Sequence, residues 1–268
     1  MSVNKDKQRR EVVVSLTSFP AAISYATGAV KSVLAGSVLP DKVVLYLTFS
    51  QFDSEGIPIP EALTELAKGN PLFEIRNYDP DIRSYRKLVP ALRDFPEAVI
   101  VTVDDDVDYH PHMLRDLLRL HERFPEAIIA HRAKRVLAEK PYRKWPKFRW
   151  YHFFPKKIQL GFDCIQTGCA GVLYPPHSLK KEMMEVALFT QLAPTADDFW
   201  FWAAAVVNGT KILPVPFGPH NKPRGLGKPR ELSLKTVNFK AGKDRNDAAF
   251  HAILDKYPLI RQRIDDGK

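Results

Sequence analysis

The sequence predicts an α/β fold with a mixed, mostly parallel central sheet flanked by helices. Three observations predict it. Residues 11–16 and 42–47 are runs of β-formers separated by an apolar stretch at helical spacing, a strand–helix–strand unit whose crossover implies a parallel sheet. Residues 99–103, Val-Ile-Val-Thr-Val, form the unbroken run expected of a central strand covered on both faces. That run ends in Asp104, Asp105 and Asp106, at the carboxyl end of a strand, where open α/β sheets bind their ligands.

The elements follow in order. The first strand ends at Thr17-Ser18-Phe19-Pro20, a turn and helix-start signal. Ile23, Ala26, Val30, Val33 and Leu34 keep helical spacing through residues 21–35, and Gly36 stops the helix. Pro40-Asp41 breaks the chain before strand 42–47. A short helix is predicted over 58–69 and a strand over 72–76. In the polar loop 78–85, Ser84 is placed to cap a helix over 85–95 that Pro90 would kink. Beyond the acids, 111–124 reads as a helix and 127–130 as a strand. Residues 144–154 mix cations with Trp, Phe and Tyr at no clean period and read as an irregular excursion. Small residues at 167–171 lead into a strand at 172–174. Helices are predicted over 178–188 and 199–208, the second opened by Thr195-Ala196-Asp197-Asp198 and ended by Gly209. A strand over 211–215, a Gly/Pro-rich loop over 217–232 expected to be mobile, and a closing helix over 246–256 complete the reading.

Composition bounds the rest. A chain of 268 residues with 45% hydrophobic and 11% aromatic content is long enough for a large core and fits an ordinary globule. The polar first ten residues lack an apolar core of the signal-peptide kind, and the longest strongly apolar run, 199–207, is too short to span a bilayer. A cytoplasmic location is expected, with Cys164 and Cys169 as reduced thiols. The net charge of +9 favours polyanionic partners, namely nucleotide diphosphates, anionic lipid surfaces or nucleic acid. The excess is concentrated in residues 132–157 and 222–230.

Three adjacent carboxylates repel one another, and a hard divalent cation carrying a phosphorylated ligand is their natural counter-charge; a solvated acidic turn is the plain alternative. At Asp197 and Asp198, helix capping and the macrodipole account for one acid. The other, beside Phe199, Trp200 and Trp202, suits a general base, because desolvation raises a carboxylate's proton affinity. Arg83 and Lys87 suit a diphosphate, and Asp81 can accept from a base or a ribose hydroxyl; a solvated helix face explains any one of them equally well. Gly168 and Gly171 allow close backbone approach to a ligand, or mark ordinary turns. His110 and His112 lie near the acids without a specific pattern. His220, in the Gly/Pro loop with Arg224 and Arg230, is a candidate to fold over a diphosphate as part of a lid, and joins Asp104 and Asp106 as a metal-ligand candidate. There is no P-loop, G-x-G-x-x-G, H-E-x-x-H or G-x-S-x-G.

Five pieces, in order, resemble one family: Val14-Ser15-Leu16-Thr17-Ser18-Phe19-Pro20, Arg83-Ser84-Tyr85-Arg86-Lys87-Leu88-Val89-Pro90, Val101-Thr102-Val103-Asp104-Asp105-Asp106, Gly171-Val172-Leu173-Tyr174-Pro175-Pro176 and Thr195-Ala196-Asp197-Asp198-Phe199-Trp200. Over residues 12–213 the chain resembles the GT-A glycosyltransferases, and more closely a bacterial group near family 2. The resemblance implies a GT-A, Rossmann-like sheet and a nucleotide-sugar donor whose diphosphate is held through Mn2+ or Mg2+ at Asp104 and Asp106, with Asp105 on the donor. It implies that Thr17 and Ser18 lie near the nucleobase and that Asp198 is the base of an inverting reaction. The acceptor would be a glycan or glycolipid in surface polysaccharide assembly. A single domain is expected, with a nucleotide-sugar-binding half at 11–110, an acceptor half at 111–215, and the mobile loop and last helix at 216–268. The basic, aromatic segment 140–157 maps to no part of the family pattern, and the usual Glu-Asp pair is here Asp197-Asp198. With no membrane span predicted, that basic surface suits peripheral contact with an anionic membrane. Two other readings compete: a sugar-phosphate nucleotidyltransferase, and a nucleic-acid-binding module stacking bases on Trp145, Phe148 and Trp150. The second leaves both acidic clusters unexplained, and no nucleic-acid partner is expected.

Overall fold

A computed structural model describes residues 9–148, 161–216, 223–232 and 244–266. The chain runs β1 (Val12–Thr17), α1 (Ile23–Leu34), β2 (Lys42–Leu47), α2 (Phe49–Glu55), α3 (Glu61–Gly69), β3 (Phe73–Asn77), α4 (Val89–Asp94), β4 (Val99–Thr102), β5 (Val107–Asp108) and α5 (Met113–Arg123). It continues through β6 (Ile128–Ala130), β7 (Ala133–Arg135), β8 (Cys164–Gln166), β9 (Val172–Tyr174), α6 (Val186–Leu192), α7 (Asp197–Asn208), β10 (Ile212–Pro214), β11 (Arg224–Gly225), α8 (Arg245–Lys256) and α9 (Leu259–Asp266).

Among the described residues, seven strands form the central sheet in the order β10-β6-β9-β4-β1-β2-β3. β1 pairs in parallel with β2 and β4, β2 with β3, and β6 with β10; β9 alone runs antiparallel to its neighbours. The sheet is therefore mixed and mostly parallel. Val14 sits at its centre, in register with Val43 on one side and Val101 on the other. The strands read as continuous apolar runs because both faces are covered. Val13, Val44 and Ile100 pack in the layer that includes Phe189, Trp200 and Phe250, while Val14, Val43 and Val101 pack in the layer that includes Val30, Leu63 and Leu117.

Helix α7 is apolar on every side, and Phe199 through Val206 are all buried, as expected of a helix inside the protein rather than on its surface. Its two indoles keep their polar handles satisfied: Trp200 Nε1 donates to Met183 O at 2.6 Å and Trp202 Nε1 to Phe162 O at 3.0 Å. Gly209, at φ 88°, ends the helix in the left-handed conformation.

Several expectations are corrected. No helix spans 85–95. Arg83–Lys87 form a 3-10 turn and α4 starts at Val89, so Pro90 falls in the first turn, where its missing N–H is not needed, and kinks nothing. Ser84 caps nothing; its buried hydroxyl has no hydrogen-bond partner among the described residues. The helix expected over 178–188 is a 3-10 turn, Lys181–Met184, followed by α6. Helix α2, helix α9 and the two-stranded pairs β5–β11 and β7–β8 were not predicted, because segments this short carry too little periodicity. Trp145 is no base-stacking platform: it is buried, with Phe199 and Phe250 rings at 5.8 and 4.9 Å. Trp150 and His220 lie outside the described residues.

Candidate active site

The carboxyl end of the sheet brings β1, β4 and the N-terminus of α7 together. After β4 the chain turns through the three acids. The Asp104 backbone N–H donates to Tyr109 Oη at 2.7 Å, which pins the start of the turn. Asp105 is buried. It accepts from Ser18 Oγ and from Lys228 Nζ, the latter at 2.9 Å. Lys228 Nζ is also 2.9 Å from Asp106 Oδ2. Burial raises the Asp105 pKa, and Lys228 and Ser18 oppose it. Burial would likewise depress the Lys228 ammonium, but the two carboxylates outweigh it and hold its pKa above the ordinary lysine value.

Arg86, 1% exposed, braces the end of β1. Its Nε donates to Thr17 Oγ1 at 2.7 Å and its Nη2 to Ser18 O at 2.6 Å. Its Nη1 reaches Thr48 Oγ1, and Asp81 Oδ1 at 3.0 Å. Thr17 Oγ1 in turn donates to Tyr46 O at 2.9 Å. Burial lowers the Arg86 pKa and the Asp81 charge opposes it, as a buried cation with a specific partner should behave. Beside this brace, Thr48, Ser50, Gln51, Ser54, Asp79, Pro80 and Asp81 line a cleft of about 670 Å³. Asp81 Oδ1 also accepts from the Arg83 N–H at 2.8 Å, while Arg83 itself is exposed with φ 55°.

Lys87 joins the two acidic motifs. Its Nζ is 3.2 Å from Asp104 Oδ1 and 3.0 Å from Asp197 Oδ2, with only 8% of its side chain exposed. Burial alone would lower its pKa, but Asp104, Asp197 and Asp198 raise it well above the usual lysine value. Asp198 accepts from the Gly168 N–H through both oxygens, at 3.1 and 3.2 Å. Burial first, then the neighbouring Asp197, pushes the Asp198 pKa up to about 7; Lys87 and the Gly168 N–H oppose the rise. A side chain at Gly168 would displace the Lys87 ammonium, since a Cβ there would lie 2.7 Å from Lys87 Nζ and 3.2 Å from Asp198 Oδ1. On the far side, Arg132 Nη1 donates to Cys169 Sγ at 3.1 Å.

Most of the sequence-derived candidates thus converge. Thr17, Ser18 and Asp81 meet at Arg86, Ser18 also reaches Asp105, and Lys87 links Asp104 to Asp197 beside Asp198. Lys87 is a buried bridge rather than a cation on an open helix face. Gly171, at φ 97°, serves packing, since a Cβ there would meet Met113 Sδ at 3.0 Å. Two residues are not singled out by sequence. Arg86 stands next to Lys87 in the same motif, but a regular helix would not have turned both side chains inward. Lys228 lies in a basic stretch with no period to distinguish it. The metal that the family resemblance implies can be tested on the donor set. Among the described residues no three His, Cys, Asp or Glu side chains form a group that would hold a metal. Asp105 and Asp106 nonetheless accommodate a cation, the Lys228 ammonium, and carboxylate oxygens are the hard donors Mg2+ and Mn2+ prefer. The site fits such an ion when water, or the phosphates of a bound ligand, completes its coordination.

No protein-family model matches the chain, and no curated protein matches it. Solved structures do. Mannosyltransferase PcManGT from Pyrobaculum calidifontis, in complex with GDP-Man and Mn2+, is similar with a TM-score of 0.50 at 13% identity, over 97% of this chain and 75% of that one. TarS from S. aureus, in complex with UDP, gives 0.48 at 15% identity, over 77% of this chain and 58% of that one. A 4-diphosphocytidyl-2C-methyl-D-erythritol synthase gives 0.45 at 10% identity, over 85% and 99%. At such identities likeness speaks to fold alone. The sheet order and the first of these likenesses together show the mixed α/β, GT-A fold class.

Proposed function

We propose that this chain is a glycosyltransferase that uses a nucleotide-sugar donor and Mn2+ or Mg2+ to glycosylate a hydroxyl of a glycan or glycolipid, with inversion. The observation that carries the reading is the junction at Lys87, where one buried ammonium draws Asp104 of the strand-end acids toward Asp197 and its neighbour Asp198. A donor-side acid cluster and a partly desolvated base then face one another across a single side chain.

The roles follow from the chemistry of each group. The cleft beside Asp81 and Thr48 would take the nucleoside, with Asp81 accepting from the base or a ribose hydroxyl. Arg86 holds Thr17 and Ser18 in place at its edge. Arg83 is exposed beside the cleft and free to meet a phosphate. Asp104 and Asp106 would hold the metal, which when bound offsets charge on the departing diphosphate. Asp198 takes the proton of the attacking hydroxyl. Its pKa of about 7 lets it be ionised, yet still basic, near neutral pH.

The glycan or glycolipid acceptor, a role in surface polysaccharide assembly, a cytoplasmic location and peripheral contact with an anionic membrane belong to the same proposal. Among the described residues no helix is long and apolar enough to cross a membrane. The exposed cations Lys140, Lys144 and Lys147 of the basic segment would then face the lipid surface. The chain would act as one domain, with the donor bound by residues 11–110.

The test is a screen of nucleotide sugars with Mn2+ and hydroxyl acceptors, reading the nucleotide product. Release of nucleoside diphosphate is expected. Formation of pyrophosphate from a nucleoside triphosphate and a sugar phosphate would instead assign a nucleotidyltransferase.

A further inference from the structure

The segment that carries Lys228 is docked against the strand-end acids and their surroundings by five contacts. Backbone pairing comes first: β11 runs antiparallel to β5, with Arg224 opposite Asp108 and Gly225 opposite Val107. The Arg224 side chain adds an ion pair to Asp108 at 2.8 Å. The Leu226 N–H then donates to the Asp106 carbonyl at 2.8 Å. Its side chain fills a dent in α1 left by Gly28, where a Cβ would lie 2.9 Å from Leu226 Cδ1. Last comes the ammonium of Lys228, 12% exposed and 2.9 Å from an oxygen of both Asp105 and Asp106.

That last contact conflicts with the metal assigned above. A small divalent ion such as Mg2+ binds carboxylate oxygens at about 2.0–2.1 Å, closer than an ammonium does. Two cations on the same oxygens repel strongly at that separation. We propose that Lys228 and a divalent cation are alternative occupants of the Asp106 carboxylate, so that metal entry releases the strap formed by residues 224–228. The inference rests on the metal part of the proposed function. Lys228 is then the built-in counter-ion that keeps adjacent acids together before the metal arrives. The strap couples to the metal because the same residue, Asp106, offers its side chain to Lys228 and its carbonyl to Leu226.

The experiment titrates Mn2+ into nucleotide-free protein and follows free Mn2+ by electron paramagnetic resonance, for the wild type, Lys228→Met and Lys228→Arg. Lys228→Met is expected to bind Mn2+ about tenfold more tightly, the usual scale of coupling between two sites, and Lys228→Arg to stay near the wild type. In the wild type, saturating Mn2+ should speed hydrogen exchange at the Leu226 amide. This second readout stands even if Lys228→Met fails to fold. Equal or weaker Mn2+ binding by a folded Lys228→Met, or an unchanged Leu226 amide, overturns the exchange while leaving the metal site standing. Absence of Mn2+ binding in all three proteins overturns both.

Discussion

Lys87 Nζ and Asp197 Oδ2 are 3.0 Å apart, which fixes the 3-10 turn Arg83–Lys87 to the first residue of α7. The same ammonium holds Asp104 at 3.2 Å. Removing it would leave buried carboxylates facing one another, the costly case of a broken buried ion pair. Lys87→Met is therefore expected to lose about 3–5 kcal/mol of stability in urea unfolding. Preserved stability would show that the acids relax without it.

Asp198 must be ionised to accept a proton, so transfer should rise with pH through about 7 and level off above it. Lys87 lowers the Asp198 pKa, so in any folded Lys87 variant lacking the charge the acidic limb should move to higher pH. A pH profile of kcat/KM reads both. A limb that stays in place would remove Lys87 from the electrostatics of Asp198.

Asp198→Asn keeps the shape of the side chain and removes its basicity. Donor binding measured by calorimetry should be unchanged, while kcat falls by about 10²–10⁴-fold. Normal turnover would exclude Asp198 as the base.

Asp106→Ala should abolish Mn2+-dependent binding of a nucleoside diphosphate, and EDTA should do the same to the wild type. Equal affinity with and without EDTA would count against the metal.

Gly168→Ala perturbs the same junction from the backbone side. The added Cβ would lie 2.7 Å from Lys87 Nζ, so the ammonium can move aside only by leaving its carboxylates. Both the melting temperature and transfer should fall, the melting temperature by less than in Lys87→Met, because the charge is displaced rather than removed. Trp202→Ala tests packing instead. It empties a fully buried indole site and should cost about 3–5 kcal/mol in denaturant unfolding.

Much of the fold was legible because its signals are local. The central run at Val99–Thr102 had to be a doubly covered strand, and α7 had to be an interior helix, since neither offers a polar face to water. The turn at Arg83–Lys87 was not legible. Its residues are compatible with a helix, and only the contacts of Tyr85, Arg86 and Lys87 inside the protein select the tighter 3-10 form.

By itself, the amino-acid sequence determined the strand–helix alternation, the acids that follow β4 and those in the first turn of α7, and the excess of positive charge. These depend on residue type and spacing along the chain. Tertiary structure alone decided which cations answer those acids. Lys87 and Lys228 lie far from their partners in sequence, and the pairing of buried charges is set by proximity in space, which no local pattern encodes.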